Sequence, residues 1–238
     1  MRPALVQVLD ALQFCVSDTH WHVPPFHLRP GEWATLVSGD SPDLIDPSGP
    51  LIRTLFTLRS PEHGTVFLHN QDAYALPYVG QQRLRAEMGF VPSSGGLLSN
   101  RTLRDNIALP LSLHARLTFK EEALRVDEQL DRFGLRAADH MFPHEVNGYT
   151  RWRACLARAL ILSPSIVMLE GLGDWDIERG QGLGWQRLRE YRQRQDNAIL
   201  IALPSAHPEF EQWFQQQGGH IIRYRIAAEL PLQGATHR

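Results

Sequence analysis

Lysine is nearly missing from this chain: 23 of its 24 basic residues are arginine, and Lys120 is the only lysine. That excludes any mechanism needing a second lysine, including most phosphate-binding loops and any Schiff base outside position 120. Cysteine is as scarce. Cys15 and Cys155 cannot build a disulfide framework or a multi-cysteine zinc site, and they fit a reducing compartment. Charge of one sign is also lacking, since 24 Lys+Arg against 26 Asp+Glu leave −2, which argues against a general polyanion binder but leaves room for a local basic face; no nucleic-acid partner is expected. The longest apolar runs, Ala159–Leu162 and Ile166–Leu169, are separated by Ser163, Pro164 and Ser165, far short of the roughly 20 residues of a membrane span. In the opening MRPALVQVLDALQF, Gln7 and Asp10 interrupt the apolar residues and no small-residue cleavage site follows, so no secretory signal is expected. The expected location is the cytoplasm, with any membrane link running through a partner.

The 238 residues, 43% hydrophobic and 21% charged, are those of an ordinary globular chain. Short β-rich runs alternate with helical patterns, which predicts an α/β fold. Val6–Leu9 and Gln13–Val16 read as an opening hairpin. Trp33–Val37, Thr65–His69, Met88–Val91, Ile166–Leu169, Ile199–Leu203 and His220–Tyr224 read as the further strands, several of them continuously apolar as central strands are. Residues 92–145 are helical in character and are expected to form a subdomain inserted between core segments 1–91 and 146–238. Within it Thr118 and Glu121 form a capping-box pattern before Ala123, Val126, Leu130 and Phe133 at helical spacing, and Gly134 ends the helix. Leu103–Arg116 reads as a helical stretch broken by Pro110.

The segments Gly64-Thr-Val-Phe-Leu, read at a sheet edge, Met88-Gly-Phe-Val-Pro, Leu103-Arg-Asp-Asn-Ile-Ala-Leu-Pro-Leu, Val146-Asn-Gly-Tyr-Thr-Arg-Trp-Arg-Ala-Cys-Leu-Ala-Arg-Ala-Leu and Pro164-Ser-Ile-Val-Met-Leu-Glu occur in that order across about residues 5–225. Order and spacing resemble the ATP-binding subunit of ABC transporters. Within that family, Gly134-Leu-Arg-Ala-Ala-Asp-His-Met-Phe-Pro143 looks most like the subunits of MCE/Mla-type lipid transporters, although lipoprotein-release and division-type subunits share much of it. The resemblance implies a P-loop NTPase-like core sheet with an antiparallel β edge, a helical subdomain, a head-to-tail dimer and docking on a membrane permease.

The residues that should carry the family's chemistry are replaced. A Walker A loop needs backbone N–H groups around the phosphates, a lysine, and a hydroxyl for magnesium. The loop that starts at Gly39 and ends at Pro50 instead puts Ser48 at the lysine position and Gly49 and Pro50 at the hydroxyl positions. It also holds Pro42, Pro47 and Pro50, which remove donors, and Asp40, Asp43 and Asp46, which put negative charge where a polyphosphate would sit. One of these carboxylates, Asp46 foremost, is expected to take the vacated anion position at the helix N-terminus. Ser93 stands at the Q-loop glutamine, Asn147, Gly148 and Tyr149 in the signature, Glu170 and Gly171 at the Walker B aspartate and catalytic glutamate, and Pro204 or Ser205 at the switch histidine. His207 falls late and reads as a surface or helix-start residue.

The resemblance with these losses implies a pseudo-ATPase on the cytoplasmic face of the inner membrane. ATP and Mg²⁺ are expected not to bind, or to bind only through an intact paralogue in a heterodimer, with a homodimer as the other arrangement. Permease docking is expected around Ser93, Arg101 and Arg104. An active ATPase using Arg53 and Glu170, and a stand-alone regulator or scaffold, are the competing readings. No catalytic or metal residues are assigned. His20, His22 and His27 have no carboxylate or cysteine at ligand spacing and read as solvent-facing strand histidines. The arginines of Arg187–Arg194 read as a solvated helix face, and Trp152 and Cys155 as core.

Overall fold

The computed structural model describes residues 3–39, 46–93, 96–173, 180–194 and 196–226. Seven strands form one mixed sheet in the order β2 (Leu12–Val16), β3 (Thr19–Val23), β11 (His220–Ile226), β5 (Trp33–Ser38), β10 (Ala198–Leu203), β9 (Ile166–Glu170) and β8 (Met88–Val91). From β11 to β8 the strands run parallel, and β3 and β2 extend the sheet antiparallel. A second, antiparallel sheet has the order β4 (Phe26–Leu28), β1 (Val6–Val8), β6 (Val66–Leu68) and β7 (Gln71–Asp72).

The two opening strands therefore do not form a hairpin. β1 pairs with β4 and β6, and β2 pairs with β3, so the strands lie in different sheets. Alternating apolar residues fit either partner, and the linking residues Leu9–Ala11 hold no two-residue Asn-Gly or Asp-Gly turn that would force the local pairing. The Gly64–Leu68 segment is likewise interior to its sheet, with β1 on one side and β7 on the other.

Strand alternation sorts the central residues into two cores. Trp33, Val37, Val167, Leu169, Ile199, Ile201 and Leu203 face one cluster, which is completed by α3 (Leu103–His114), α4 (Phe119–Arg132), α5 (Gly148–Leu160), α6 (Leu183–Arg192) and α7 (Pro208–Gln216). Ala34, Leu36, Ile166, Met168, Leu200 and Ala202 face the other, with α1 (Ser48–Leu55) and the small antiparallel sheet. Period two then puts Glu170, at the end of β9, on the α1 side with Ile166 and Met168. A further helix, α2 (Tyr78–Ala86), precedes β8.

Within 92–145, Thr118 caps α4 as its spacing predicts: the Glu121 N–H donates to its hydroxyl at 3.3 Å, and its own N–H donates to Glu121 Oε2 at 2.8 Å. Gly134 takes φ +61° just beyond the helix, a left-handed turn that favours glycine. α3 is not broken at Pro110 but runs through it. An interior proline costs about 3 kcal/mol, whereas Leu103, Ile107 and Leu111 are all fully buried on one face, each contributing roughly 1.5–3 kcal/mol. Packing prevails over local propensity. Among the described residues no helix is long and apolar enough to cross a membrane.

Candidate functional site

The site is built where α1 meets the ends of β8 and β9. The Gly39 N–H donates to the Tyr224 carbonyl at 2.7 Å, tying the end of β5 to β11. α1 then begins at Ser48, ahead of the position near Leu51 that the loop suggests. Its first N–H is already engaged: Asp46 Oδ1 accepts from the Ser48 N–H at 2.8 Å and from the Ser48 hydroxyl at 2.6 Å. A carboxylate of the chain itself thus sits where the helix N-terminus favours an anion. Asp40 and Asp43 lie outside the described residues. Tyr224 donates its phenol to the Leu203 carbonyl at 2.7 Å, and burial first, then the Asp46 charge, pushes that phenol well above its ordinary range.

Glu170 completes the cluster. Its side chain is 7% exposed, and Oε1 accepts from the Ser93 hydroxyl at 2.9 Å. A Cβ at Gly49 would lie 2.7 Å from that same oxygen, so the carboxylate lies against the bare backbone of the first turn of α1. Oε2 is buried with no hydrogen-bond partner, and the Arg53 guanidinium stands 3.9 Å away. Gly171, the expected counterpart of the family's catalytic glutamate, follows with φ +87° and offers no side chain. The fold thus unites Asp46, Ser48, Gly49, Arg53, Ser93 and Glu170. Lys120 is far off in sequence, in the exposed first turn of α4.

The other candidates make contacts of their own. Asn147 is the N-cap of α5, its side-chain oxygen accepting from the Thr150 N–H at 2.9 Å. Gly148 opens the helix, and the Tyr149 ring stacks under Arg153, whose guanidinium carbon lies 4.2 Å from the ring centroid. Pro204 and the exposed Ser205 follow β10. His207 caps α7, accepting from the Phe210 N–H at 3.3 Å. Pro50 lies inside the first turn of α1.

Of the docking candidates, Arg101 is exposed. Arg104 is engaged within the chain, 2.7 Å from Asp127 and 2.8 Å from Asp139. Its hydrogen bonds, with those of Arg136 to Asp127, hold both carboxyls below the usual aspartate range and raise Arg104 above its own. Neither arginine lines the cleft of about 220 Å³ between β8, the C-terminal half of α3 and α5, which is bounded by Met88, Phe90, Leu109, Pro110 and Leu113.

Sequence reasoning missed the contact between Glu170 and Gly49. Its signal is a glycine within the first turn of a helix, a costly choice unless something approaches the backbone closely.

The profile of the ABC transporter family matches residues 49–170, just over half of the chain. The methionine import ATP-binding protein MetN 1 of Pseudomonas fluorescens is 37% identical over 122 residues, 50% of this chain. That match spans only 36% of the relative's length. The lipoprotein-releasing system ATP-binding protein LolD 1 of Rhodopirellula baltica is 27% identical over 208 residues, covering 84% of this chain and 90% of the relative. Among solved structures, the bacterial ABC transporter cassette MJ0796, determined as a dimer, superimposes with a TM-score of 0.74 at 18% identity, over 96% of this chain and 99% of that one. With that fold and the matched segment running from the start of α1 to Glu170, the chain belongs to the ABC transporter family, as an ATP-binding domain of it.

Proposed function

We propose that this chain is a non-hydrolysing ABC transporter subunit that acts by docking on a transmembrane permease. The observation carrying this reading is the Glu170 carboxylate, held by Ser93 against Gly49, with Asp46 on the adjoining N–H. Two carboxylates occupy ground where a nucleotide needs donors and positive charge. A micromolar site rests on about −8 kcal/mol, and each charge-assisted hydrogen bond supplies roughly 1.5–3 of it. Ser48 in place of lysine and an N–H already given to Asp46 remove two such contributions, and repulsion by Glu170 adds to the loss. An active ATPase would need Arg53 to serve the phosphates, yet that guanidinium lies beside Glu170, and Gly171 supplies no base.

The subunit would sit peripherally on the cytoplasmic face of the inner membrane, held by its permease. It would pair either with itself as a scaffold or with an intact paralogue. ATP and Mg²⁺ would then enter only the composite site between the paralogue's Walker A loop and Asn147–Tyr149. The Gly134–Pro143 run supports a lipid transporter of MCE/Mla type, and the lipoprotein-releasing relative, aligned over most of the chain, supports a lipid-linked cargo. The methionine relative covers half. A stand-alone regulator would not co-purify with a permease.

The test is the melting temperature of the isolated protein in millimolar Mg-ATP. Ligand at 100 times its dissociation constant adds about 2.7 kcal/mol of stability. No shift is expected, and a saturable rise of several degrees would overturn the reading.

A further inference from the structure

The fold gives His20 of β3 two possible metal-ligand neighbours, Cys15 from the adjoining strand and Glu62 from a segment distant in sequence. β2 and β3 pair antiparallel with Cys15 opposite His20 and Gln13 opposite His22. Leu12, Phe14, Trp21 and Val23 are buried, so alternation turns Cys15, His20 and His22 to the other face. The segment after α1 runs along the free edge of β2, where His63 makes an antiparallel bridge with Gln13. Glu62 donates its N–H to the Gln13 carbonyl at 2.8 Å, and Gln13 donates its own to the His63 carbonyl at 2.9 Å. Arg59 donates to the Cys15 carbonyl. These backbone bonds bring the Glu62 carboxylate to His20, with Oε2 2.8 Å from Nδ1. The Cys15 sulfur, the His20 nitrogen and a Glu62 oxygen all lie within 4.8 Å of one another.

We propose that Cys15, His20 and Glu62 form a binding site for a thiophilic divalent cation of the zinc class. Zn²⁺ takes sulfur at about 2.3 Å, imidazole nitrogen at about 2.0–2.1 Å and carboxylate oxygen at about 2.0–2.2 Å. Tetrahedral geometry at those bond lengths needs ligand atoms roughly 3.3–3.6 Å apart. Small side-chain rotations reach that spacing, because His20 and Glu62 are 57% and 38% exposed and move without disturbing the core. On binding, the Cys15 thiol loses its proton to solvent, and His20 binds as the neutral imidazole through Nδ1 with its proton carried on Nε2. Three protein ligands leave a fourth position for water or for His22, two residues along the same face. The ion would staple the β2–β3 hairpin to the segment following α1, independently of any nucleotide.

The test uses the full chain without a polyhistidine tag. Zn²⁺ is titrated in competition with a chromogenic chelator, and Co²⁺ serves as the optical probe. One ion per chain is expected, with a thiolate-to-cobalt charge-transfer band and a raised melting temperature. Cys155 is buried, and burial pushes its thiol up to about 11, so the band reports Cys15. Cys15→Ser and His20→Ala should weaken Zn²⁺ binding by at least about tenfold, Cys15→Ser should also abolish the band, and Cys155→Ala should leave both unchanged. A wild-type chain without the band, or a Cys15→Ser chain that binds Zn²⁺ as tightly as the wild type, overturns the proposal.

Discussion

Ser93 donates its hydroxyl proton to Glu170 at 2.9 Å, which joins the segment after β8 to the end of β9. The bond holds the carboxylate against α1, where a Cβ at Gly49 would lie 2.7 Å from it. Glu170 and Gly49 are therefore one fitted pair.

Gly49→Ala should destabilise the protein by about 1–3 kcal/mol, the cost of overpacking. At most helix positions the same change is stabilising, so its sign is diagnostic. Combined with Glu170→Ala it should be neutral or favourable. Urea unfolding of the single and double variants measures this coupling.

Asp46→Ala removes the acceptor for both the Ser48 N–H and the Ser48 hydroxyl. The expected loss is about 0.5–1.5 kcal/mol, that of an ordinary intramolecular hydrogen bond, read from the denaturation midpoint. An unchanged midpoint would mean that water serves the helix end equally well.

The ion pairs of Arg104 and Arg136 have a defined pH signature. Asp127, Asp131 and Asp139 are held below their ordinary pKa, in each case first by an arginine hydrogen bond. Their stabilisation is present above the unfolded aspartate pKa of about 3.9 and is lost as pH falls through the lower folded values. Melting temperature should therefore drop from pH 5 to pH 2, and Asp139→Asn should flatten that slope. High salt should weaken the effect as well.

Charge reversal separates docking from folding. Arg101→Glu alters an exposed side chain and should release the protein from membranes containing its permease while leaving its melting temperature unchanged. Arg104→Glu faces Asp127 and Asp139 and should lower the melting temperature. Retained membrane association of Arg101→Glu would move the docking surface elsewhere.

In a reconstituted heterodimer with an intact paralogue, Tyr149→Gly with Asn147→Ser should raise ATP turnover. Serine caps a helix as well as asparagine does, and the cost is the contact of Tyr149 with Arg153 plus about 1 kcal/mol for a helical glycine. An unchanged rate would refute a composite site at this position.

The sequence by itself determined the parallel strands, because Ile166–Leu169 and Ile199–Leu203 are continuously apolar, Trp33–Val37 is interrupted only by Thr35, and strands covered on both faces accept such runs. It determined α4 through the Thr118 capping box and Gly134, which are local chemistry. Tertiary structure alone decided the partners of β1 and β2, because alternation is the same whichever strand is opposite. It carried α3 through Pro110, since the burial of Leu103, Ile107 and Leu111 is a property of the assembled core. Residues distant in sequence were brought together only by closure of the chain: Gly49 with Glu170 by the packing of α1 on β9, and Cys15 and His20 with Glu62 by backbone bonds to Gln13. Spacing along a sequence reports neighbours within one element, whereas both clusters are made of neighbours across elements.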